Sequence, residues 1–212
     1  MPISFRGFHQ VFFVTNDLEE TTRFYRDLLG FKLYYTIGDP AGNFKLYLFE
    51  VDETFSVGFF QWLLVDKIPF KEPGAPVRGP FGFDHLMIGV ETEEELWDLH
   101  DKFEMAGIKV SPLIDHGHIY SIYVHDPNNI SLEFSYQVYN PRGYPMLADP
   151  APVPAAEEGS FPQKGYWPDE IDPTPLGKRL VFPGAGWNLI PSEMKNALLK
   201  VQIPSFDEDE SI

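Results

Sequence analysis

The chain contains an internal repeat, and a repeat fixes architecture more tightly than any single motif. Residues 8–16 read FHQVFFVTN and residues 84–92 read DHLMIGVET. Each has a histidine at its second position (His9, His85), alternates apolar residues at strand period, and reaches a helix-capping residue seven positions later (Asn16, Thr92). Glu19 and Glu95 follow those caps at capping-box spacing. Two apolar stripes then advance by 3, 4 and 3 residues, Leu18, Thr21, Tyr25, Leu28 and Leu96, Leu99, Phe103, Ala106. Gly30 and Gly107 supply left-handed helix stops, leading into FKLYYTI and IKVSPLI. Two more strands close each half: NFKLYLFEV and TFSVGFFQW, then GHIYSIYV and ISLEFSY, the last pair joined by the turn DPNN. Each half reads β-α-β-β-β, so the expected fold is α+β.

The expected organisation is a first module over residues 1–66, a linker over 67–82 containing Pro69, Pro73, Pro76 and Pro80, a second module over 83–138, and an extended C-terminal tail over 139–212. The tail holds 12 of the 20 prolines and one expected helix, Ser192 to Gln202. Its aromatics, Tyr144, Phe161, Tyr166, Trp167, Phe182 and Trp187, predict that it packs over the modules. A formal charge of −16 makes nucleic acid and anionic membranes poor partners. With no cysteine there is neither a disulfide framework nor a thiol nucleophile, and a metal must be held by His, carboxylate, amide or water. MPISFRGFHQ lacks a signal-peptide pattern and no apolar run approaches the roughly 18 residues of a spanning helix, which predicts a cytoplasmic, soluble protein.

Strand alternation puts His9 on a face with Val11 and Phe13, and His85 on the matching face with Met87 and Gly89. Pseudo-symmetry would then aim both imidazoles into one shared cavity. Glu133, between Leu132 and Phe134, is a carboxylate in an apolar run and needs a partner such as a cation. Two neutral imidazoles and one carboxylate form the triad that suits Fe(II) with open positions, and Mn, Zn, Ni or Co also fit. Gln61 lies at an even offset from the corresponding strand position, so it reads either as a fourth ligand or as an amide bonding nearby backbone. His116 and His118 alternate on a turn, where at least one is expected to be solvated; His100 reads as surface and His125 as a turn residue.

The paired βαβββ modules with His9, His85 and Glu133 resemble the vicinal oxygen chelate superfamily (glyoxalase, bleomycin resistance and extradiol dioxygenase proteins) over residues 5–138. The resemblance implies an open eight-stranded barrel around one divalent metal that chelates vicinal oxygens of a small-molecule substrate. Ile114, His116, Ile122, Tyr123, Asp126, Pro127 and Glu133 resemble the type I extradiol pattern, with Asn129 where that pattern has Gly or Pro. The resemblance implies a catalytic role for Tyr123, whereas the extradiol base would fall near Phe55, which carries no acid or base. Gln61 resembles the amide ligand of epimerases, with Glu50 nearest to their glutamate. The expected function is a metal-dependent, dioxygenase-like oxidoreductase using Fe(II) on an aromatic or enolic substrate. The alternatives are a glyoxalase- or epimerase-like lyase or isomerase and an aromatic-ligand-binding protein. Paired modules close within one chain or swap between two copies of a homodimer.

Overall fold

The computed structural model describes residues 7–62, 64–76, 83–140, 149–165, 172–182 and 184–201. The first module runs β1 (Gln10–Thr15), α1 (Leu18–Thr22), a π-helical continuation (Arg23–Leu28), β2 (Lys32–Gly38), β3 (Phe44–Glu50) and β4 (Ser56–Trp62). The second runs β5 (Leu86–Val90), α2 (Glu93–Met105), β6 (Ile114–Asp115), β7 (Ile119–His125) and β8 (Ser131–Gln137). Each module forms its own four-stranded sheet, ordered β1-β4-β3-β2 and β5-β8-β7-β6, with the first and last strands parallel. The repeat is therefore real, and its sheets are open rather than closed into a barrel.

The helices form on their stripes, except that the last position of the second, Ala106, is the exposed C-cap of α2. Leu18, Thr21, Tyr25, Leu96 and Phe103 are buried, and Thr92 caps α2 with a full capping box to Glu95. A helix as short as α1 is marginal alone; burying Leu18, Phe24 and Tyr25 supplies roughly 1.5–3 kcal/mol for each side chain. The π turn, seen in the bond from Leu29 N–H to Phe24 O at 3.0 Å, lets the consecutive Phe24 and Tyr25 both face the interior. Gly30 and Gly107 adopt φ of 83° and 71°, the left-handed stops expected.

Three local expectations are corrected. The cap of α1 is Asp17, whose carboxylate accepts from Glu20 N–H at 3.0 Å, not Asn16. The strand expected over 108–114 shrinks to Ile114–Asp115. Pro112 has no N–H to offer a ladder, and Ser111 is held to Tyr123 instead: its N–H donates to Tyr123 O at 3.0 Å and its Oγ accepts from Tyr123 N–H at 2.9 Å. Facing is the third. Val11 and Phe13 pack on the shared core, as do Leu86 and Val90, so Gln10, Phe12 and Val14 lie on the opposite, open side with Met87 and Gly89. The two strands are offset by one residue from the expected alignment, and a shift of one reverses every facing.

The modules share one core. Phe24 of the first stacks on Phe103 of the second at 6.3 Å, and Tyr25 and Phe59 meet at 4.8 Å within it. A buried polar cluster ties the same seam. Tyr25 Oη donates to Asp126 Oδ2 at 3.2 Å, Thr15 Oγ1 to Asn128 Oδ1 at 2.7 Å, and Asn128 Nδ2 to Thr21 Oγ1 at 3.1 Å. The turn DPNN thus joins β7 to β8 and also docks one module on the other. Asn129 takes φ of 63° there, a left-handed conformation that asparagine tolerates.

Residues 141–212 form a separate compact unit. Its described helices are α3 (Pro154–Glu157), a 3-10 turn (Leu176–Lys178), α4 (Ala185–Leu189) and α5 (Ser192–Val201), close to the helix expected. No strand occurs among its described residues. Of the aromatics expected to pack, Phe161 and Phe182 are exposed and Trp187 is half-buried; Tyr144, Tyr166 and Trp167 lie outside the described residues. No helix among the described residues is long and apolar enough to cross a membrane.

Candidate metal centre

The open face of the second sheet carries the chemistry. Glu133, in the middle of β8, stands beside Met87 on β5 and opposite Tyr123 on β7. It is 1% exposed, and a buried carboxylate without partners is costly. Two partners are present: Ser121 Oγ donates to Oε1 at 2.5 Å, and His85 Nε2 lies 2.7 Å from Oε2. His85, just ahead of β5, donates through Nδ1 to Asp84 Oδ1 at 2.7 Å. Asp84 is in turn gripped by Lys71 Nζ at 2.5 Å and Gly74 N–H at 2.9 Å. Lys71 first, then that N–H, hold the Asp84 carboxyl well below the ordinary carboxylate range.

Tyr123 stands edge-on to two imidazoles, His85 at 5.9 Å and His116 at 6.1 Å. Its hydroxyl is hydrogen-bonded to His116 Nε2 at 3.0 Å, so the turn histidine reaches into the site. Burial, and then the nearby negative charge of Glu133, push the Tyr123 phenol up to about 12. The neutral phenol is therefore the form held in the native state, and this group's contribution to stability is lost as pH rises from 10 toward 12. In a difference titration of phenolate absorbance against Tyr123→Phe, the missing transition is expected near 12, and Glu133→Gln should move it downward. A Tyr123 transition at 10 in the unsubstituted protein would contradict this arrangement.

The first module presents a different open face. By register Phe12 pairs with Gly58 where Met87 pairs with Glu133, so Gly58 occupies the position of Glu133. A Cβ at Gly58 would lie 2.6 Å from both Phe12 Cδ1 and Leu48 Cδ2, which leaves no room for a second carboxylate. Counting seven residues back from the caps Asp17 and Thr92 pairs Gln10, not His9, with His85. Gln10 Nε2 donates to Tyr34 Oη at 3.2 Å, and Tyr34 Oη donates to Ser56 Oγ at 3.0 Å. His9 precedes the strand, is exposed, and lines with Gln10, Tyr34, Glu50, Asp52 and Ser56 an open cavity of about 680 Å³. Glu50 also faces Lys32 at 3.4 Å. The rest of this face is aromatic: Phe12 lies 5.7 Å from Phe60, which lies 5.8 Å from Trp62.

The other histidines and Gln61 fall into place around this. Gln61 sits on the helix side, donating to Asn16 O at 3.1 Å and accepting from Leu18 N–H at 3.4 Å, so it serves the start of α1. His125 is half-buried and bonds Lys71 O at 2.8 Å. His100 lies beside Asp101 and Glu104 on α2; among the described residues this is the set of three His or acidic donors whose ligand atoms all lie within 4.8 Å of one another. His9, His85 and Glu133 do not converge to that spacing within one chain. His85 Nε2 and Glu133 Oε2 are 2.7 Å apart, a hydrogen-bond distance; neighbouring ligands on one cation with bonds of about 2.0–2.2 Å stand roughly 3 Å apart, so a bound ion would spread this pair by only a few tenths of an ångström. A buried carboxylate sharing one edge with an imidazole is a donor set that fits a divalent metal.

This geometry accompanies a sequence match to the glyoxalase/bleomycin resistance protein/dioxygenase superfamily over residues 7–134, more than half of the chain. The chain belongs to this superfamily. Its fold is similar to a glyoxylase/bleomycin resistance protein/dioxygenase domain from Frankia sp. EAN1pec, with 20% identity, 63% of this chain and 99% of that chain covered, and a TM-score of 0.53. It is also similar to the fosfomycin resistance protein FosX from Listeria monocytogenes, with 17% identity, 68% and 100% coverage and a TM-score of 0.50. No curated protein sequence matches. Superfamily members are mostly metal-dependent enzymes acting on small molecules, and they often form dimers.

Proposed function

We propose that this superfamily member is a metal-dependent dioxygenase of the extradiol type, acting with O2 on a small aromatic or enolic compound with two vicinal oxygens. The observation that carries this reading is the hydrogen bond between Tyr123 and His116 beside the His85–Glu133 pair, since it supplies a proton-handling couple next to a divalent cation site. His85 Nε2 and Glu133 Oε2 would hold the metal, Fe(II) by preference, with His9 of a second copy as the third ligand. His9 lies ahead of the β1 ladder and already lines an open-side cavity, so strand alternation does not bind it to the core side. When bound, the ion supplies Lewis acidity to the substrate's vicinal oxygens and leaves positions free for them.

Each remaining role belongs to the chain itself. Tyr123 Oη donates to a substrate oxygen as negative charge develops. His116, exposed on the far side of Tyr123, receives or returns a proton and exchanges it with solvent. The aromatic face of Phe12, Phe60 and Trp62, carried into the site with His9 of the second copy, would offer a wall for a planar ring. An amide ligand at Gln61 would favour the lyase reading, and the Gln61 amide is instead taken up by the start of α1.

The test is oxygen uptake by anaerobically purified, Fe(II)-loaded protein on a panel of catechols and enediols. Tyr123→Phe is expected to keep its metal and lower kcat roughly 30- to 1,000-fold, corresponding to about 2–4 kcal/mol of transition-state stabilisation. Isomerisation or addition without oxygen uptake would replace the oxygenase reading with the lyase one.

A further inference from the structure

We propose that the inter-module linker is a positioning element of the metal centre, acting through Lys71 and Asp84 on His85. This rests on the reading of His85 as a metal ligand. An imidazole ligand has two free choices, its tautomer and its ring plane, and the partner of the non-ligating nitrogen sets both. Here that partner is Asp84: with Nδ1–H given to Asp84 Oδ1 at 2.7 Å, Nε2 is the nitrogen presented toward Glu133 at 2.7 Å. Asp84 is 47% exposed on its side chain, so without further contacts it would sample several rotamers. Lys71 Nζ on Oδ2 at 2.5 Å and Gly74 N–H on Oδ1 at 2.9 Å remove that freedom. The pair is partly exposed, with the Lys71 side chain at 24%, and its direct physical consequence at His85 is orientation of the Asp84 carboxylate.

Those two groups come from the linker, and the linker is itself anchored. Ile68 N–H donates to Asn128 O at 3.3 Å, Asn129 Nδ2 donates to Ile68 O at 2.8 Å, and His125 Nε2 bonds Lys71 O at 2.8 Å with Phe70 against its ring at 4.4 Å. All three anchors belong to the end of β7 and the turn after it, the turn that docks the first module through Asp126 and Asn128. Module docking, linker path and His85 orientation therefore form one continuous hydrogen-bonded chain. Its outcome at the metal is affinity, because a ligand already held in the binding tautomer and plane loses less freedom when it binds.

The experiment is Co(II) titration of the full chain, followed by visible absorption, for the unsubstituted protein and for Asp84→Ala, Asp84→Asn, Lys71→Met, Lys109→Met and His85→Ala, each checked for folding by circular dichroism. Asp84→Ala is expected to raise the Co(II) Kd about 10- to 100-fold, the range typical of partners that orient a ligand. Asp84→Asn keeps an acceptor for Nδ1–H and should raise it less, and Lys71→Met should fall between the unsubstituted protein and Asp84→Ala. Lys109→Met, which removes the linker's contact with Glu72 at 3.4 Å but does not touch Asp84, should bind as the unsubstituted protein does. In the metal-free protein, nitrogen NMR of the imidazoles should show the His85 Nδ1–H lose its protection in Asp84→Ala and keep it in Asp84→Asn. Unchanged Co(II) affinity and spectrum in Asp84→Ala, with binding abolished in His85→Ala, would overturn the positioning role and leave the metal site standing. Binding that survives His85→Ala would overturn both.

Discussion

Glu133→Gln and His85→Ala are each expected to lower divalent-metal affinity by about 100-fold or more, beyond the 10- to 100-fold typical of groups that only orient a ligand. Glu133 is buried with His85 on one oxygen and Ser121 on the other, so glutamine keeps the shape and the Ser121 contact while removing the charge. Elemental analysis after anaerobic purification and calorimetric titration with Fe(II), Mn(II) and Zn(II) measure the loss. His9→Ala should lose metal likewise. Because the three groups do not converge in one chain, His9→Ala and Glu133→Gln chains that are inactive separately should regain activity on mixing, as one site of the mixed dimer is then intact. Failure of mixing to restore any activity, in a preparation shown to contain mixed dimers, would place His9 outside the site. Gln10→Leu in the same assay reports whether its amide, which shares the facing of His85, is the donor instead.

The second large effect concerns stability. Asp126 accepts from Asn128 N–H and Ile130 N–H, both at 2.8 Å, from Asn128 Nδ2 at 3.1 Å and from Tyr25 Oη at 3.2 Å. Asp126→Ala leaves several buried donors unpaired, each costing about 1–3 kcal/mol, so a loss on the order of 3–5 kcal/mol is expected in urea unfolding. Asp126→Asn retains one acceptor oxygen and should cost only about 1–2 kcal/mol, so the difference between the two variants separates the hydrogen bonds from the charge. Burial raises the Asp126 carboxyl above its ordinary 3.8. The native state then takes up this proton before the unfolded chain does, so this group's contribution to stability improves as pH falls through the folded value toward 3.8. Asp126→Ala should abolish that component of the pH dependence. A variant as stable as the unsubstituted protein would show that the Asp126 hydrogen bonds do not hold the modules together and that the shared core and the Asn128 bonds suffice.

Much of the local structure was legible because it depends on local physics. Helix stripes, the Thr92 cap, the glycine stops and the βαβββ order follow from periodicities of a few residues, and Leu18, Tyr25, Leu96 and Phe103 are buried as their spacing requires. Glu133 was legible for a related reason: a carboxylate between Leu132 and Phe134 announces a partner wherever the strand lies. The facing of β1 was harder to read, since the choice between Asn16 and Asp17 as cap moves the repeat alignment by one residue. Asn16 with Glu19 and Asp17 with Glu20 stand at the same capping spacing, so the choice falls to the fold, in which the Asp17 carboxylate takes the Glu20 N–H. His116 was legible only as a turn histidine, because its contact with Tyr123 depends on how the loop after β6 folds back over β7.

The amino-acid sequence by itself determined that this protein contains two copies of one βαβββ unit, and it determined which residue types could bind a metal, because both follow from pattern and chemistry along the chain. Tertiary structure decided which of those residues meet. It joined His85 to Glu133, sent Gln61 to the start of α1, filled the Gly58 position with Phe12 and Leu48, and led the linker back to Asp84. Such outcomes depend on strand register and on how two sheets share a core, where a shift of a single residue exchanges inside for outside.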